Sequence, residues 1–327
     1  MHNSTTSVTH LTHLTHYGIL AVSGDKASDL LQGQLSCDMS QINPEQARDG
    51  ALCNLKGRVV ALMTVIQIDS DLPTYYLVIP TDLILEVTTH LRKIAPLFRV
   101  NIEDISQHYQ ALALMGKDSH ELVQQLHSVT LKTTHYASAQ TAGKVFINLV
   151  APEQQVILAI LDNASIAPLT AQLAAGDNQQ WNLALIKSGI AVITSQTTDI
   201  FLPQLLNLQH IGGLSFTKGC YLGQEVIART YYRGKLKKTL CLISLTTTEQ
   251  LYPATKLLSV DKQPLGQLVN LTPCANNTYL ALALLHNDYA TADNVAKKLE
   301  ISLETNIALE CEIEKILDEQ FYNKYGN

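Results

Sequence analysis

The chain has 327 residues, of which 46% are apolar and 16% are charged, so it is long enough for two or three domains with hydrophobic cores of their own. Its net charge of −6 excludes binding of a polyanion through bulk charge, and any contact with nucleic acid or phosphate then needs a local basic patch. The six cysteines include no C-x-x-C pair, which disfavours a disulfide framework and a structural zinc site and predicts a reducing, cytoplasmic compartment.

The N-terminal segment, "MHNSTTSVTHLTHLTHYG", lacks the basic start and the apolar stretch of a signal peptide. No apolar run in the chain approaches the ~20 residues that a membrane helix needs, so we expect no membrane partner. The segment places His10, His13 and His16 three residues apart. On a helix one metal ion could reach two of them, whereas a solvated or frayed terminus is the favoured interpretation.

The first part of the chain predicts strands and helices in mixed order. Helical spacing predicts a helix through "KASDLLQGQL", with Ser23 or Asp25 as its N-cap. A second helix is predicted at 82–94, where Pro96 stops it. Short apolar or β-branched runs predict strands at 17–22, 59–68 and 75–80.

A second, similar unit follows. Its predicted elements are a strand at 111–115, a helix at 119–129 capped by Ser119, a strand pair at 144–150 and 155–161 joined by "APEQ", and helices at about 166–175 and 180–188. Strands that cluster between helices indicate an α+β fold. We expect two α+β subdomains, at about 1–105 and 106–238.

From about residue 239 the chain predicts short strands separated by Pro, Gly and Asn. In "NIALECEIEKI", Ile307, Leu309, Cys311 and Ile313 alternate with glutamates, which is typical of a half-exposed strand. We therefore predict a C-terminal antiparallel β-barrel domain at 239–327.

The segment "SFTKGCYLGQE" (215–225) contains the least ordinary residues of the chain. Gly219 and Gly223 allow a sharp turn around Cys220, and a helix can begin just after it. A thiol near a helix N-terminus with Lys218 close by has the setting of a reactive thiolate or a soft-metal ligand. The alternative is a small buried hydrophobic residue, which the residues alone favour.

A basic cluster follows this segment in an otherwise acidic protein. Its members, interleaved with Tyr231 and Tyr232, are Arg229, Arg233, Lys235, Lys237 and Lys238. The cluster is suited to an anion such as a phosphate backbone or a polyglutamate tail. A solvated linker explains the spacing equally well.

The stretch "PQLLNLQHIGGLSFTKGCYLGQEVIARTYYRGKLKK" closely resembles the signature of the YgfZ family, K-G-C-Y-x-G-Q-E followed by R and R-G. The matching residues are Lys218, Gly219, Cys220, Tyr221, Gly223, Gln224, Glu225, Arg229, Arg233 and Gly234. Further blocks, such as "VSGDKASDLLQGQLSCDMSQ" and "QQWNLALIKSGI", extend the resemblance over roughly 17–290.

The resemblance implies the fold of the glycine cleavage aminomethyltransferase, with folate-binding subdomains and a C-terminal barrel around a central cavity. It implies a folate-binding factor, with tetrahydrofolate or a derivative as ligand, that supports assembly or repair of iron–sulfur clusters in client enzymes. One such client is a radical enzyme that thiomethylates tRNA, so contact with nucleic acid is expected to be indirect. The positions that match the family's folate-binding aromatic residues are Tyr17, where the family usually has tryptophan, and Trp181.

One departure separates this chain from true aminomethyltransferases. Those enzymes carry acids in a G-x-[VI]-[VI]-D-D context, where this chain has "GRVVAL" with Ala61 and Leu62. Neither side chain can activate an amine through a carboxylate, which argues against a classical enzyme. The alternative function is a tetrahydrofolate-dependent one-carbon transferase. Cys220 is the candidate functional thiol, but one cysteine cannot supply the four thiolates of a usual cluster, so no resident metal is expected.

Overall fold

Two β-sheets and a closed β-barrel organise the protein in a computed structural model that describes residues 9–150, 155–304 and 307–323. The strands are β1 (His10–His13), β2 (Tyr17–Ser23), β3 (Arg48–Cys53), β4 (Val59–Ile68), β5 (Thr74–Pro80), β6 (Asn101–Asp104), β7 (Tyr109–Met115), β8 (Ser138–Thr141), β9 (Lys144–Val150), β10 (Gln155–Asp162), β11 (Ala174–Ala175), β12 (Lys238–Thr246), β13 (Lys256–Ser259), β14 (Pro264–Pro273), β15 (Thr278–His286), β16 (Lys298–Leu303) and β17 (Ala308–Ile316). The helices are α1 (Ala27–Gln34), α2 (Ile84–Phe98), α3 (Ser119–His127), α4 (Asn163–Thr170), α5 (Asn178–Lys187), α6 (Gln224–Arg233) and α7 (Glu319–Asn323).

The first sheet is antiparallel and has the strand order β3-β4-β5-β2-β6. Helices α1 and α2 cover one of its faces, where Leu31 and Leu91 share a buried cluster with Leu20 and Leu77. The strand predicted at 59–68 is confirmed as β4 over its whole length. Nine of its ten residues are apolar or β-branched, Gln67 being the exception, which suits a strand that is buried over most of its surface.

The second sheet has the order β11-β1-β7-β10-β9-β8. On one face, Ala113 and Leu158 share a buried cluster with Ile19 and Val78 of the first sheet, so the two sheets pack together. The opposite face packs against α3 and α4. Burial on both faces explains why its central strands have continuous apolar runs rather than alternating patterns.

The barrel closes in the order β12-β15-β14-β13-β16-β17. Its interior holds a separate buried cluster that includes Leu245 and Ile301. On its outer surface, Leu242 and Leu284 pack into the same core as Phe201, which fixes the barrel against the rest of the protein. The alternation predicted around Cys311 is confirmed, because β17 buries its apolar residues and exposes Glu310 and Glu314. The α+β fold with a C-terminal antiparallel barrel is therefore confirmed, while the domain boundaries near 105 and 238 stay predictions.

The prediction that Pro96 stops the second helix is wrong. Helix α2 continues to Phe98 and ends at Arg99, which adopts a left-handed conformation with φ 56°. A proline lacks a backbone donor but keeps its carbonyl acceptor. The amide of Arg99 donates to that carbonyl, and the amide of Val100 donates to Ala95, so the last turn is completed past the proline.

Three predicted helix N-termini also need correction. Helix α1 begins after Lys26 without a side-chain cap, because the Ala27 amide donates to the Gly24 carbonyl instead. Asp118, not Ser119, precedes α3. The helix predicted at 166–175 is α4, which starts earlier because Asp162 caps it through the Ser165 amide, and the predicted end lies in β11.

The histidine segment is a paired strand, so its interpretation as a frayed terminus is wrong for residues 10–13. Strand β1 pairs antiparallel with β7 and parallel with β11. Across the three described ranges, no three His, Cys, Asp or Glu side chains come together as metal ligands. In the same ranges, no helix combines the length and apolar character needed to cross a membrane.

Candidate functional site

A central cavity of about 50 Å³ lies between the two sheets. Most of its wall is apolar, with a few polar groups that converge on it. Its lining residues are Tyr17, Asp49, Leu62, Met63, Thr64, Val78, Pro80, Tyr136, Leu149, Leu158, Trp181, Leu185, Ile190, Ala191, Val192 and Ile193. A largely apolar lining with a few converging polar groups is typical of a small-molecule site.

The cavity brings together the two aromatic residues that the family resemblance pointed to. Tyr17 begins β2 and Trp181 lies in α5, and their ring centroids are 6.1 Å apart at an interplanar angle of 89°. Trp181 is only 3% exposed, and its indole Nε1 reaches no partner at hydrogen-bond geometry, although it lies close enough to Tyr17 to influence the phenol. Burial raises the pKa of Tyr17, so the phenol stays neutral.

Asp49 is a cavity residue that the sequence reasoning missed. It lies in β3, opposite Thr64 of β4, and only 7% of it is exposed. Its Oδ1 accepts a hydrogen bond of 2.7 Å from the Thr64 hydroxyl, and its Oδ2 accepts one from the Tyr136 hydroxyl. Burial raises the pKa of this carboxyl, and the two hydroxyl donors oppose that shift. A single acid within a buried strand was the sequence signal that could have revealed it.

Ala61 and Leu62, the residues aligned in the sequence with the acids of aminomethyltransferases, differ in their relation to this cavity. Leu62 lines the cavity, whereas Ala61 is fully buried outside the lining. The wall of the cavity is therefore apolar at Leu62. Asp49 supplies a carboxylate from the neighbouring strand instead.

A second cavity of about 560 Å³ shares Tyr136 with the first. Arg48 lines it, and the buried Nε of its guanidinium has no hydrogen-bond partner. His210 lies in its wall, stacked on Tyr322 with centroids 5.8 Å apart. Burial and the Arg48 charge lower the pKa of His135 to about 4, and burial also lowers that of His210. Arg48 is thus the permanent cation of this cavity.

The lysine of the 215–225 segment has a structural role. Lys218 is 8% exposed, and its Nζ donates hydrogen bonds of 2.7 Å to the carbonyls of Leu35 and Cys37. It also lies 4.9 Å from the ring centroid of Tyr221. Burial lowers the pKa of Lys218 to about 8. The ammonium therefore binds the carbonyls of the loop after α1, and it does not form an ion pair with the thiol of Cys220.

A second contact joins the same two segments. The hydroxyl of Ser36 donates to the carbonyl of Gly213, and the amide of Ser215 donates to the carbonyl of Ser36 at 2.9 Å. Together with Lys218, these bonds attach the start of the motif to residues 35–37. The first residues of the motif therefore hold residues 213–218 against residues 35–37.

Cys220 itself is exposed, so the interpretation as a buried hydrophobic residue is wrong. It lies after Gly219 and shortly before α6, which begins at Gln224 as the sequence predicted. The residues that line the two cavities, as far as the structure describes the chain, include neither Cys220 nor any other motif residue. The thiol therefore faces the outside of the protein.

The basic cluster lies on the exposed side of α6 and in the segment after it. Arg229 and Arg233 are exposed, as are Tyr231 and Tyr232 at 54% and 68%. The ring of Phe216, next to the motif, stacks on Tyr231 with centroids 3.8 Å apart. The cluster and Cys220 therefore belong to the outer surface, away from the cavity lining.

Gly223→Ala is expected to lower the free energy of unfolding by about 1–3 kcal/mol. Gly223 precedes α6 with a φ of 80°, and a Cβ there would overlap the carbonyl oxygen of Asn54. Urea denaturation measures the effect. The matched control is Gly219→Ala, where a Cβ would have nothing within 4 Å. Equal losses in both variants would contradict a special role of Gly223.

These features define the class of protein. A GCVT N-terminal domain model matches residues 2–151. The structure also superposes on the crystal structure of the glycine cleavage system aminomethyltransferase T from Bartonella henselae, with a TM-score of 0.70 and 13% identity over 95% of this chain and 86% of that one. At this identity the likeness concerns the fold: two sheets around a cavity, followed by a barrel.

Relatives with higher identity narrow the class to one family. The chain is 37% identical over 232 residues to the tRNA-modifying protein YgfZ of Colwellia psychrerythraea, a match that covers 70% of this chain and 69% of the relative. It is 27% identical over 279 residues to the tRNA-modifying protein YgfZ of Vibrio atlanticus, covering 83% and 82%. The protein belongs to the YgfZ family, and the resemblance found in its sequence is confirmed.

Proposed function

We propose that the protein is a folate-binding accessory factor that supports assembly or repair of iron–sulfur clusters in client enzymes, including a radical enzyme that thiomethylates tRNA. A part in tRNA modification agrees with the name of its relatives, tRNA-modifying protein YgfZ. One observation carries the folate part of the proposal. Tyr17 and Trp181 are far apart in the sequence, yet they meet in the wall of one cavity between the sheets.

The residues present fit tetrahydrofolate or a derivative. The aromatic side chains Tyr17 and Trp181 offer flat apolar surfaces for a fused heterocycle. The indole Nε1 of Trp181 and the carboxylate of Asp49 offer a hydrogen-bond donor and an acceptor in the same space. A bound folate supplies one-carbon chemistry or redox chemistry of the reduced ring, and the chain's residues bind and orient it.

Tyr17→Leu is expected to weaken tetrahydrofolate binding about 5- to 100-fold, because a stacked aromatic ring contributes ~1–3 kcal/mol. Trp181 is the single tryptophan of the chain, so its fluorescence reports binding directly. The matched control is Tyr76→Leu, which removes a half-buried tyrosine outside the cavity lining. Absence of quenching in the parent protein would overturn the folate proposal.

Cys220 is proposed to act at the surface rather than in the cavity. Its exposure allows contact with a second protein, and the basic and aromatic side chains of α6 lie beside it in the sequence. In this proposal Arg229 and Arg233 contact a client enzyme or a cluster-assembly protein, and nucleic acid is reached only through the client. The thiol can serve as a transient ligand, a redox partner or a nucleophile. The six unpaired cysteines suit a reducing cytoplasm.

A second candidate function is a tetrahydrofolate-dependent one-carbon transferase acting on a small amine. The observation in its favour is the carboxylate of Asp49, which lines the cavity although Ala61 stands where the resemblance puts the catalytic aspartate. Tetrahydrofolate-dependent release of ammonia or formaldehyde from candidate amines tests it. A protein that binds folate but releases neither product supports the accessory function.

A further inference from the structure

Asp49 is the one carboxylate among the described residues that line the central cavity. The ion pairs observed between described residues join Lys132 to Glu45, Lys256 to Glu304 and Lys298 to Glu310, and none of these pairs includes Asp49. Its neighbour Arg48 lines the second cavity instead. A buried carboxylate without a cation is costly to retain unless hydrogen-bond donors approach it. The hydroxyls of Thr64 and Tyr136 offset part of that cost, and further donors from a ligand would offset more of it.

The Asp49 carboxylate can accept about four hydrogen bonds, and its contacts within the protein use two of them. Thr64 donates to Oδ1 and Tyr136 donates to Oδ2, and each carboxylate oxygen can accept about two hydrogen bonds. Because one donor holds each oxygen, the orientation of the carboxylate is fixed. Two adjacent acceptor sites remain, one on each oxygen. Two parallel N–H donors on a flat ligand match this arrangement.

The free acceptors share their space with the aromatic pair. Asp49, Tyr17 and Trp181 line the same cavity. A planar heterocycle between the sheets can therefore contact an aromatic surface and present its edge to Asp49. The cavity volume of about 50 Å³ is smaller than a fused two-ring system, so binding requires the surrounding side chains to move outward.

We propose that Asp49 is a specificity-determining residue that recognises a 2-amino-4-oxo-pyrimidine edge, in which an exocyclic amino group and a ring N–H stand side by side. This inference rests on the folate proposal and deepens it, because it names the ligand edge that the cavity selects. Thr64 and Tyr136 are positioning residues that hold the carboxylate for this contact.

The test compares tetrahydrofolate with the analogue in which hydrogen replaces the 2-amino group. Fluorescence of Trp181 and calorimetry measure both ligands in the parent, in Asp49→Asn and in the control Asp69→Asn, which makes the same change at an exposed site. The parent is expected to prefer tetrahydrofolate about 10- to 100-fold, the value of a charge-assisted hydrogen bond. Asp49→Asn is expected to lose most of that preference, and Asp69→Asn to keep it.

The possible results distinguish recognition of the ligand edge by Asp49 from folate binding by the cavity as a whole. A parent that binds both compounds equally overturns the role of Asp49, whether or not Asp49→Asn folds, and leaves folate binding intact. An Asp49→Asn protein that weakens both ligands by the same factor also overturns it, because Asp49 would then only shape the cavity. A parent that binds neither compound overturns the folate proposal and the inference together.

Discussion

Cys220→Ala is expected to reduce client-enzyme maturation to the level of a deletion strain while leaving the free energy of unfolding unchanged within about 0.5 kcal/mol. The thiol is exposed and makes no described packing contact with the core. Removing it therefore changes surface chemistry alone. Folate affinity is also expected to persist, because Cys220 is not among the residues that line either cavity.

Complementation of a deletion strain, read as the content of thiomethylated tRNA, measures the effect of Cys220→Ala. The matched control is Cys274→Ala, which removes a partly exposed thiol next to the barrel strand β14. Urea denaturation and Trp181 fluorescence show whether both variants keep their fold and ligand. Full complementation by Cys220→Ala would end the hypothesis of a functional thiol.

Lys218→Met is expected to lower the free energy of unfolding by about 2–4 kcal/mol, because the buried carbonyls of Leu35 and Cys37 both lose their donor. The matched control is Lys56→Met, in which the same change is made at an exposed lysine. Urea denaturation compares the two. A loss no greater than that of Lys56→Met would show that the contacts of Lys218 contribute little.

The same lysine predicts a pH dependence of stability. The pKa of Lys218 is about 8 in the folded protein against 10.5 for the free side chain, so the unfolded chain binds more protons between these values. The free energy of unfolding of the parent is therefore expected to rise relative to Lys218→Met between about pH 8 and pH 10.5. Denaturation curves at several pH values measure the difference. A constant difference would show that the pKa is not lowered.

These predictions divide the family motif into two parts. Lys218 and Gly223 hold the segment against residues 35–37 and 54–57, through buried hydrogen bonds and a close backbone approach. Cys220, Arg229 and Arg233 are exposed. The first part thus fixes the position of the second. A substitution in either part is expected to affect function, but only the first is expected to affect stability.

Strands β4 and β17 were predictable because each has a clear hydrophobic pattern within a short stretch of sequence. The run at 59–68 is apolar or β-branched at every position except Gln67, and it forms β4 over its full length. The alternation around Cys311 is confirmed in β17 because one face of that strand packs in the barrel interior. Helix ends were less predictable. Asp162 and Asp177 cap α4 and α5, and several residues of similar chemistry compete for each cap.

The sequence by itself determined the α+β class, the C-terminal barrel and, through its motif, the family, because hydrophobic periodicity and an uninterrupted signature are local properties of the chain. Only the tertiary structure decided which distant side chains meet. It placed Tyr17 beside Trp181, brought Asp49 into their cavity, and directed Lys218 to the loop at 35–37 and Cys220 to the surface. The physical reason is that strand register and sheet packing, which depend on contacts between distant parts of the chain, set the direction of each side chain.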